Sequence, residues 1–390
     1  MNVTIQPKKL AGAVIPPPSK SMAHRVVLAS MLSGRAAPVS APGQSQDILA
    51  TSRCVAALRE DASRNGLPFL DCGESGSTLR FLIPIALALR GGGVFTGRGR
   101  LMQRPQKPYF DLFGEKGIFY EQKDGTLTVR GRLIPGVYML PGDVSSQFVT
   151  GLLFALPLLE GDSEIRITSP LESRSYVDMT LEVLEHAGVR VEHQEHQVFQ
   201  VPGGQSLRAG DMTVEADWSQ AGFWYAAAFL DNAVTPQGLN PASSQGDRVM
   251  GALYWKLARP GDVEVDVSDC PDLLPPLAVM AAARRGTTRF VNAARLRIKE
   301  SDRLATTAAL LTALGGQVEE GADSLTVHGG HPLTGGTVDG ANDHRIVMAA
   351  AIAATVCTAP VTILGAEAVN KSYPSFFEEY QRLGGEIRVL

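Results

Sequence analysis

Cysteine is scarce in this 390-residue chain: Cys54, Cys72, Cys270 and Cys357 stand far apart and form no C-x-x-C pair. That excludes a disulfide framework and a cysteine-based zinc site, and it fits a reducing cytoplasm. Cys270 lies two residues before Asp272, but a buried, passive thiol is the expected reading. Aromatic residues make up only 6%, and Trp218, Trp224 and Trp255 form no stacking series for nucleic acid. Neither charge dominates. The formal net charge is −4, which argues against a general nucleic-acid binder and suggests that the basic loops serve a small anionic ligand. No apolar run is long enough to span a bilayer, and Met1 to Lys9 lack the apolar stretch of a secretory signal. The glycine patterns of Walker and dinucleotide loops are missing, which speaks against a nucleotide hydrolase. His193-Gln194-Glu195-His196 has metal-like spacing without a third ligand, so an exposed polar edge is expected there.

The chain does contain a repeat. Its length favours two domains. Small-residue, apolar helices begin near Ser21, Gly76, Ser145, Trp218, Asp272 and Asp343. More polar, amphipathic helices begin near Asp47, Pro105, Tyr176, Gly246, Glu300 and Tyr373. Pairing the first kind across the chain (21 with 218, 76 with 272, 145 with 343) gives separations of 197, 196 and 198 residues. The second kind (47 with 246, 105 with 300, 176 with 373) gives 199, 195 and 197. Near-constant offsets in two helix sets point to duplication of a three-unit domain. Helices apolar nearly all round, such as Met348 to Val356, belong inside, covered by strands and amphipathic helices. Strands are expected at Thr126–Arg130 and Glu164–Ile167, and again after the helix-stopping Gly188 and Gly384. Two such lobes would bring their helix starts to a shared cleft.

The helix starts carry the chemistry. In Arg297-Ile298-Lys299-Glu300-Ser301-Asp302-Arg303, cations bracket two carboxylates just before a helix whose apolar face is Leu304, Ala308, Leu311 and Leu314. Ser301 and Asp302 are N-cap types, and a helix start favours anions. Pro18-Ser19-Lys20-Ser21 with Arg25 resembles a phosphate cradle without P-loop glycines, and Gly73-Glu74-Ser75-Gly76-Ser77-Thr78 lets backbone N–H groups approach an anion. Val144-Ser145-Ser146-Gln147 supplies neutral donors. Taken singly, each is equally an ordinary cap or surface charge. Together, Lys20, Arg104, Arg303, Arg345 and Lys371 place cations where the helix dipole opposes them by a few tenths of a kcal/mol, roughly. Bound phosphate or carboxylate would offset that, and five cations imply more than one anionic group.

These segments resemble those of the 5-enolpyruvylshikimate-3-phosphate synthase family, in order from Ser19 to Pro374. P-S-K-S-x-x-x-R, E-S-G-S-T-x-R, R-P, S-S-Q, S-x-x-Y, P-D, K-E-S-D-R, D-H-R and K-S-Y-P all have family counterparts. The resemblance implies an α/β fold: a two-domain inside-out α/β barrel of six repeated βαβαββ-type units, three per domain. Residues 1–18 with 217–390 would form one lobe and 19–216 the other, with hinges near 16–19 and 215–218. It implies transfer of the enolpyruvyl group of phosphoenolpyruvate to the 5-hydroxyl of shikimate 3-phosphate through a tetrahedral adduct that loses phosphate. No metal or organic cofactor, no nucleic acid and no membrane would be involved, and the enzyme would be a cytoplasmic monomer.

By motif position, Lys20, Gly76, Arg104, Gln147, Arg303, Arg345 and Lys371 would hold phosphoenolpyruvate. Lys20, Ser21, Arg25, Ser145, Ser146, Gln147, Ser173, Tyr176, Asp272 and Lys299 would hold shikimate 3-phosphate. Asp272 would take the 5-hydroxyl proton, while Glu300 and Lys20 would protonate and deprotonate the methylene carbon. Two positions depart from the pattern of many relatives: Glu74 stands where they have Asn, and Arg295 where some present Asn. Gly76 keeps the small residue that the family associates with glyphosate sensitivity, so competition between glyphosate and phosphoenolpyruvate is expected. The related transferase acting on UDP-N-acetylglucosamine begins with Lys-Asn and carries a loop cysteine. Here the pair is Lys20-Ser21, and Gly97 to Pro108 has no cysteine. A catalytically silent phosphometabolite-binding relative is the other alternative, although Lys20, Asp272 and Glu300 are all present.

Overall fold

A computed structural model describes residues 1–34, 45–59, 66–208, 210 and 212–390. The chain divides into two compact units, Met1–Ser19 with Glu215–Leu390, and Lys20–Val214. We call them the discontinuous and the continuous unit. Twelve α-helices lie among the described residues. Those of the continuous unit are α1 (Lys20–Leu32), α2 (Gln46–Arg59), α3 (Gly76–Arg90), α4 (Lys107–Lys116), α5 (Ser146–Ala155) and α6 (Arg174–His186). Those of the discontinuous unit are α7 (Trp218–Phe229), α8 (Met250–Ala258), α9 (Leu274–Ala283), α10 (Arg303–Ala313), α11 (His344–Ala353) and α12 (Phe376–Arg382). All twelve helices inferred from the sequence are present.

The four-stranded sheet of the expected βαβαββ unit recurs four times with one strand arrangement. Its first two strands pair in parallel across a helix, and the remaining two add antiparallel. In the continuous unit, Phe69–Asp71 pairs with Gly92–Thr96, then Thr126–Arg130, then Phe119–Lys123. Val137–Leu140, Ser163–Ile167, Val198–Val201 and Glu192–Gln194 repeat that order. In the discontinuous unit the same order runs Val263–Asp266, Gly286–Val291, Leu325–Gly329, Gln317–Glu320. The fourth sheet takes its third strand from the other end of the chain: Val3–Gln6 lies between Val361–Leu364 and Glu386–Val389, with Gly336–Asp339 outside. A two-stranded parallel pair, Ala11–Val14 with Ala233–Pro236, accompanies α7 and α8.

Side-chain patterning explains the layers. In Thr126–Arg130 only Leu127 and Val129 are buried, as one face of a strand requires. In α11 every residue from His344 to Ala353 is buried, so this Ala-rich helix forms part of the core. Each unit has its own apolar cluster, one around α9 and α11 and the other around α3 and α5. Where the chain passes between units, its two crossings are hydrogen-bonded to each other. Ser19 N donates to Glu215 O at 2.7 Å and Asp217 N to Pro17 O at 2.9 Å.

One strand begins later than expected. After Gly188, in the left-handed region at φ +74°, the strand starts only at Glu192. Val189 N is still closing the helix by donating to Leu184 O at 2.9 Å, and Arg190 N donates to Gln205 Oε1 at 2.8 Å. No described helix is long and apolar enough to cross a membrane.

Candidate active site

In the discontinuous unit, three helix starts are tied together by one guanidinium. Asp302 caps α10 by accepting from Ala305 N, and Asp343 caps α11 by accepting from Arg345 N. Asp272 lies in the 3-10 turn Pro271–Leu273 that leads into α9. Arg303, the first residue of α10, is 1% exposed. It donates from Nη1 to Asp272 Oδ1 at 2.8 Å, from Nη2 to Glu300 Oε2 at 2.6 Å and from Nε to Asp343 Oδ2 at 2.9 Å. Arg345 Nη2 donates to the other Asp272 oxygen at 2.7 Å, and Lys299 Nζ lies 3.7 Å from Asp272 Oδ1. Ser301 Oγ donates to Asp343 Oδ2 at 2.9 Å, and Lys371 Nζ to Asn342 O at 2.6 Å.

The electrostatics follow from this packing. Burial alone would raise the Asp272 carboxyl, but Arg345, Lys299 and Arg303 outweigh it and hold the group well below the usual carboxylate range. Burial pulls Lys299 down to about 8, against the attraction of Asp272. Arg303 is pushed the other way: burial would lower it, yet Asp343, Glu300 and Asp272 raise it further.

The continuous unit holds a second group. Lys20 Nζ donates to Asp47 Oδ2 at 2.8 Å. Arg25 is buried and joins three helices, donating to Ser21 O at 2.6 Å, Tyr176 O at 2.7 Å, Thr180 Oγ1 at 2.8 Å and Thr150 Oγ1 at 3.4 Å. Burial lowers its pKa to about 9, with Tyr176 opposing. Arg80 donates to Gln147 Oε1 at 2.8 Å and to Pro105 O at 2.9 Å, and Gln147 Nε2 donates to Ser77 Oγ at 3.0 Å. Ser145 caps α5, and Ser146 beside it is buried. Ser173 precedes α6 in the left-handed region at φ +54°, a conformation that costs a non-glycine residue about 1–3 kcal/mol. Tyr176 lies three residues further on, half-buried. Gly76 sits directly under Arg104: a Cβ there would stand 2.5 Å from Nη1 and 2.8 Å from Cζ.

Several sequence-based expectations change in detail. The cations are not a local surplus, because Lys20, Arg303 and Arg345 each already face a carboxylate. Arg104 and Lys371 stand at the ends of 3-10 turns, since Pro105 and Pro374 delay the helices that follow. Arg297 serves structure, binding Asp302, Glu320 and the carbonyls of Gly321 and Ala322. Arg295 donates to Ser268 O at 2.8 Å, and Glu74 is half-buried. All four cysteines are buried and unbridged, and burial pushes the Cys270 thiol up, as a passive thiol requires. His196 Nε2 donates to Asp178 Oδ1 at 2.6 Å, beside an exposed His193, and no metal-holding cluster exists among the described residues.

Sequence reading assigned no role to Asp47, Arg80 or Asp343. The last two are the R of E-S-G-S-T-x-R and the D of D-H-R, so the motifs contained the signal.

The repeated sheets and buried apolar helices define the inside-out fold of the enolpyruvyl transferases. The structure of the enolpyruvyl transferase NikO from Streptomyces tendae superposes with a TM-score of 0.74 at 19% identity, covering 99% of this chain and 98% of that one. EPSP synthase from Acinetobacter baumannii superposes with a TM-score of 0.76 at 24% identity, covering 100% of both chains. The family model for EPSP synthase (3-phosphoshikimate 1-carboxyvinyltransferase) matches residues 5–380. The 3-phosphoshikimate 1-carboxyvinyltransferase of Clostridium kluyveri is 43% identical over 99% of this chain and 98% of its own. The chain therefore belongs to the EPSP synthase family.

Proposed function

We propose that the chain transfers the enolpyruvyl group of phosphoenolpyruvate to the 5-hydroxyl of shikimate 3-phosphate and releases phosphate, in the shikimate route to aromatic amino acids. The observation that carries this is the Arg303 cluster, in which one buried cation holds two candidate proton-transfer carboxylates, Asp272 and Glu300. The reaction needs that kind of chemistry. C2 of phosphoenolpyruvate becomes electrophilic as its methylene carbon gains a proton, and the attacking hydroxyl must lose one. The adduct then returns a proton from the new methyl group as phosphate departs.

We assign the 5-hydroxyl proton to Asp272. Held ionised by Arg345, Lys299 and Arg303, it accepts that proton only as carbon–oxygen bonding acidifies the hydroxyl. To Glu300 and Lys20 we assign the proton that goes to and from the methylene carbon. Lys20, Arg104, Arg303, Arg345, Lys371, Gln147 and the Gly76 backbone take phosphoenolpyruvate. Ser21, Arg25, Ser145, Ser146, Ser173, Tyr176 and Lys299 take shikimate 3-phosphate. The buried Arg25, whose bonded partners named above are all neutral oxygens, suits an anionic group there. Fixed donors of this kind act without reorganising during the reaction. We assign the enzyme to a reducing cytoplasm, which the four unbridged thiols suit. We assign it as a monomer.

Phosphate release from phosphoenolpyruvate by purified protein, with and without shikimate 3-phosphate, tests the reading. Release should require both substrates and vanish in Lys20→Ala. Folded protein that binds both substrates without releasing phosphate would instead be a silent relative.

A further inference from the structure

A line of buried polar side chains crosses the continuous unit from α1 to the start of α3. His24 Nδ1 lies 2.7 Å from Thr51 Oγ1, and Thr51 Oγ1 lies 2.7 Å from Thr78 Oγ1. Thr78 Oγ1 donates to Ser75 Oγ, also at 2.7 Å. All four residues are buried. The proton count sets the direction. With its one hydroxyl proton given to Ser75 at 2.7 Å rather than to the Asp47 carbonyl at 3.5 Å, Thr78 accepts from Thr51. Thr51 must then accept from His24, which places the imidazole proton on Nδ1. Burial, then Lys20 and Arg25, hold the His24 pKa well below its ordinary value, so the ring is neutral.

Each end of this line reaches a proposed substrate-binding group. At one end, His24 is one helical turn from Lys20, and both threonine hydroxyls lie close to the backbone oxygen of Asp47, at 3.4 and 3.5 Å. The Asp47 carboxylate in turn holds the Lys20 ammonium. At the other end, Ser75 caps α3, accepting from Thr78 N at 3.1 Å. The next two residues are Gly76, packed under Arg104, and Ser77, bonded to Gln147.

We propose that His24 is a positioning residue for the transfer: as its neutral Nδ1–H tautomer it fixes, through Thr51 and Thr78, the spacing between Lys20 and the Gly76–Arg104 end of α3. The inference rests on the roles assigned above to Lys20 and Arg104. A reacting constellation must be held to about 0.5 Å, and three short bonds between buried groups supply such stiffness.

The test compares wild type with His24→Leu, His24→Asn and Thr51→Val, using phosphate release with each substrate varied in turn, thermal melting and ¹⁵N-histidine spectra. His24→Leu and Thr51→Val should lower kcat/KM for phosphoenolpyruvate roughly 10- to 100-fold, chiefly through kcat. KM for shikimate 3-phosphate should stay within about twofold, since Arg25 and its partners are untouched. His24→Asn, which keeps an amide donor near the place of Nδ1, should restore most of the rate. The double variant His24→Leu/Thr51→Val should be no worse than either single one. Equal losses in His24→Asn and His24→Leu, or lower melting with unchanged kinetics, would overturn the positioning role. The spectra decide independently of turnover. A wild-type enzyme without phosphate release would sink the reaction assignment, whereas an Nε2–H ring, or one titrating between about pH 5 and 8, would sink the relay.

Discussion

Gly76→Ala probes a close approach between a helix start and a cation in the continuous unit. The added methyl would stand 2.5 Å from Arg104 Nη1, 2.8 Å from Cζ and 3.0 Å from Nη2. Carbon contacts settle near 3.5 Å, so the guanidinium must retreat by on the order of 1 Å. The backbone raises no objection, because Gly76 is the first residue of α3 and lies outside the left-handed region. What yields is the far end of a flexible side chain, so the variant should fold and melt as wild type does. The loss then falls on the anion site. A misplacement of about 1 Å lowers a rate by about 100-fold, equivalent to about 2.7 kcal/mol of transition-state stabilisation. We therefore expect kcat/KM for phosphoenolpyruvate to fall roughly 10- to 100-fold at saturating shikimate 3-phosphate, with KM for the latter unchanged. Glyphosate, expected to compete with phosphoenolpyruvate in the wild type, should weaken in parallel. Initial rates across a phosphoenolpyruvate series would decide the matter. A well-folded variant with unaltered phosphoenolpyruvate dependence would refute the argument, because it would mean that Arg104 can retreat without consequence.

Three further outcomes follow from the discontinuous unit. Burial sets Lys299 near a pKa of about 8, so if it holds shikimate 3-phosphate, KM for that substrate should climb as pH rises through about 8. Lys299→Arg should move the climb to higher pH, and a KM flat across that range would refute the role. Burial, with Asp272 nearby, raises Asp247 to about 7, Arg345 opposing. The stability it contributes is full below the unfolded carboxyl pKa, near 4, and is lost as pH rises through about 7. Asp247→Asn should therefore flatten the fall in urea-unfolding free energy over that window, and an unchanged slope would contradict it. Arg303→Met would leave Asp272, Glu300 and Asp343 without their shared cation and should destabilise the protein by about 3–5 kcal/mol. Arg303→Lys should recover only part of this, since an ammonium cannot fork to three carboxylates. A denaturation loss below about 1 kcal/mol in the Met variant would count against the cluster as described.

What was legible in the sequence had a period or a local cap. Leu304, Ala308, Leu311 and Leu314 announced a face of α10, and all are buried behind the Asp302 cap. Met348 and its neighbours announced a core helix because no polar stripe interrupts them. The long-range pairings of the cationic side chains were not legible. Lys20 meets Asp47 across 27 residues, Arg303 meets Asp343 across 40, and Arg80 meets Gln147 across 67. Periodicity carries no record of such distances, so counting cations at the helix starts overstated the bare charge there. Strand edges were obscured for a related reason: Arg190 leaves its expected ladder for a side chain 15 residues away.

The placing of Val3–Gln6 between Val361–Leu364 and Glu386–Val389 sets an order of manufacture. The first strand leaves the ribosome with neither neighbour yet made, and nearly the whole chain must be synthesised before its sheet can close. The continuous unit, Lys20–Val214, has no such wait, since all its partners are contiguous. Domains fold as they emerge, and distant pairings form slowly. A nascent chain arrested before residue 361 will thus carry a protease-resistant continuous unit and a protease-sensitive remainder. Val3–Gln6 is put to use only when its sheet closes, although it is made long before either neighbour.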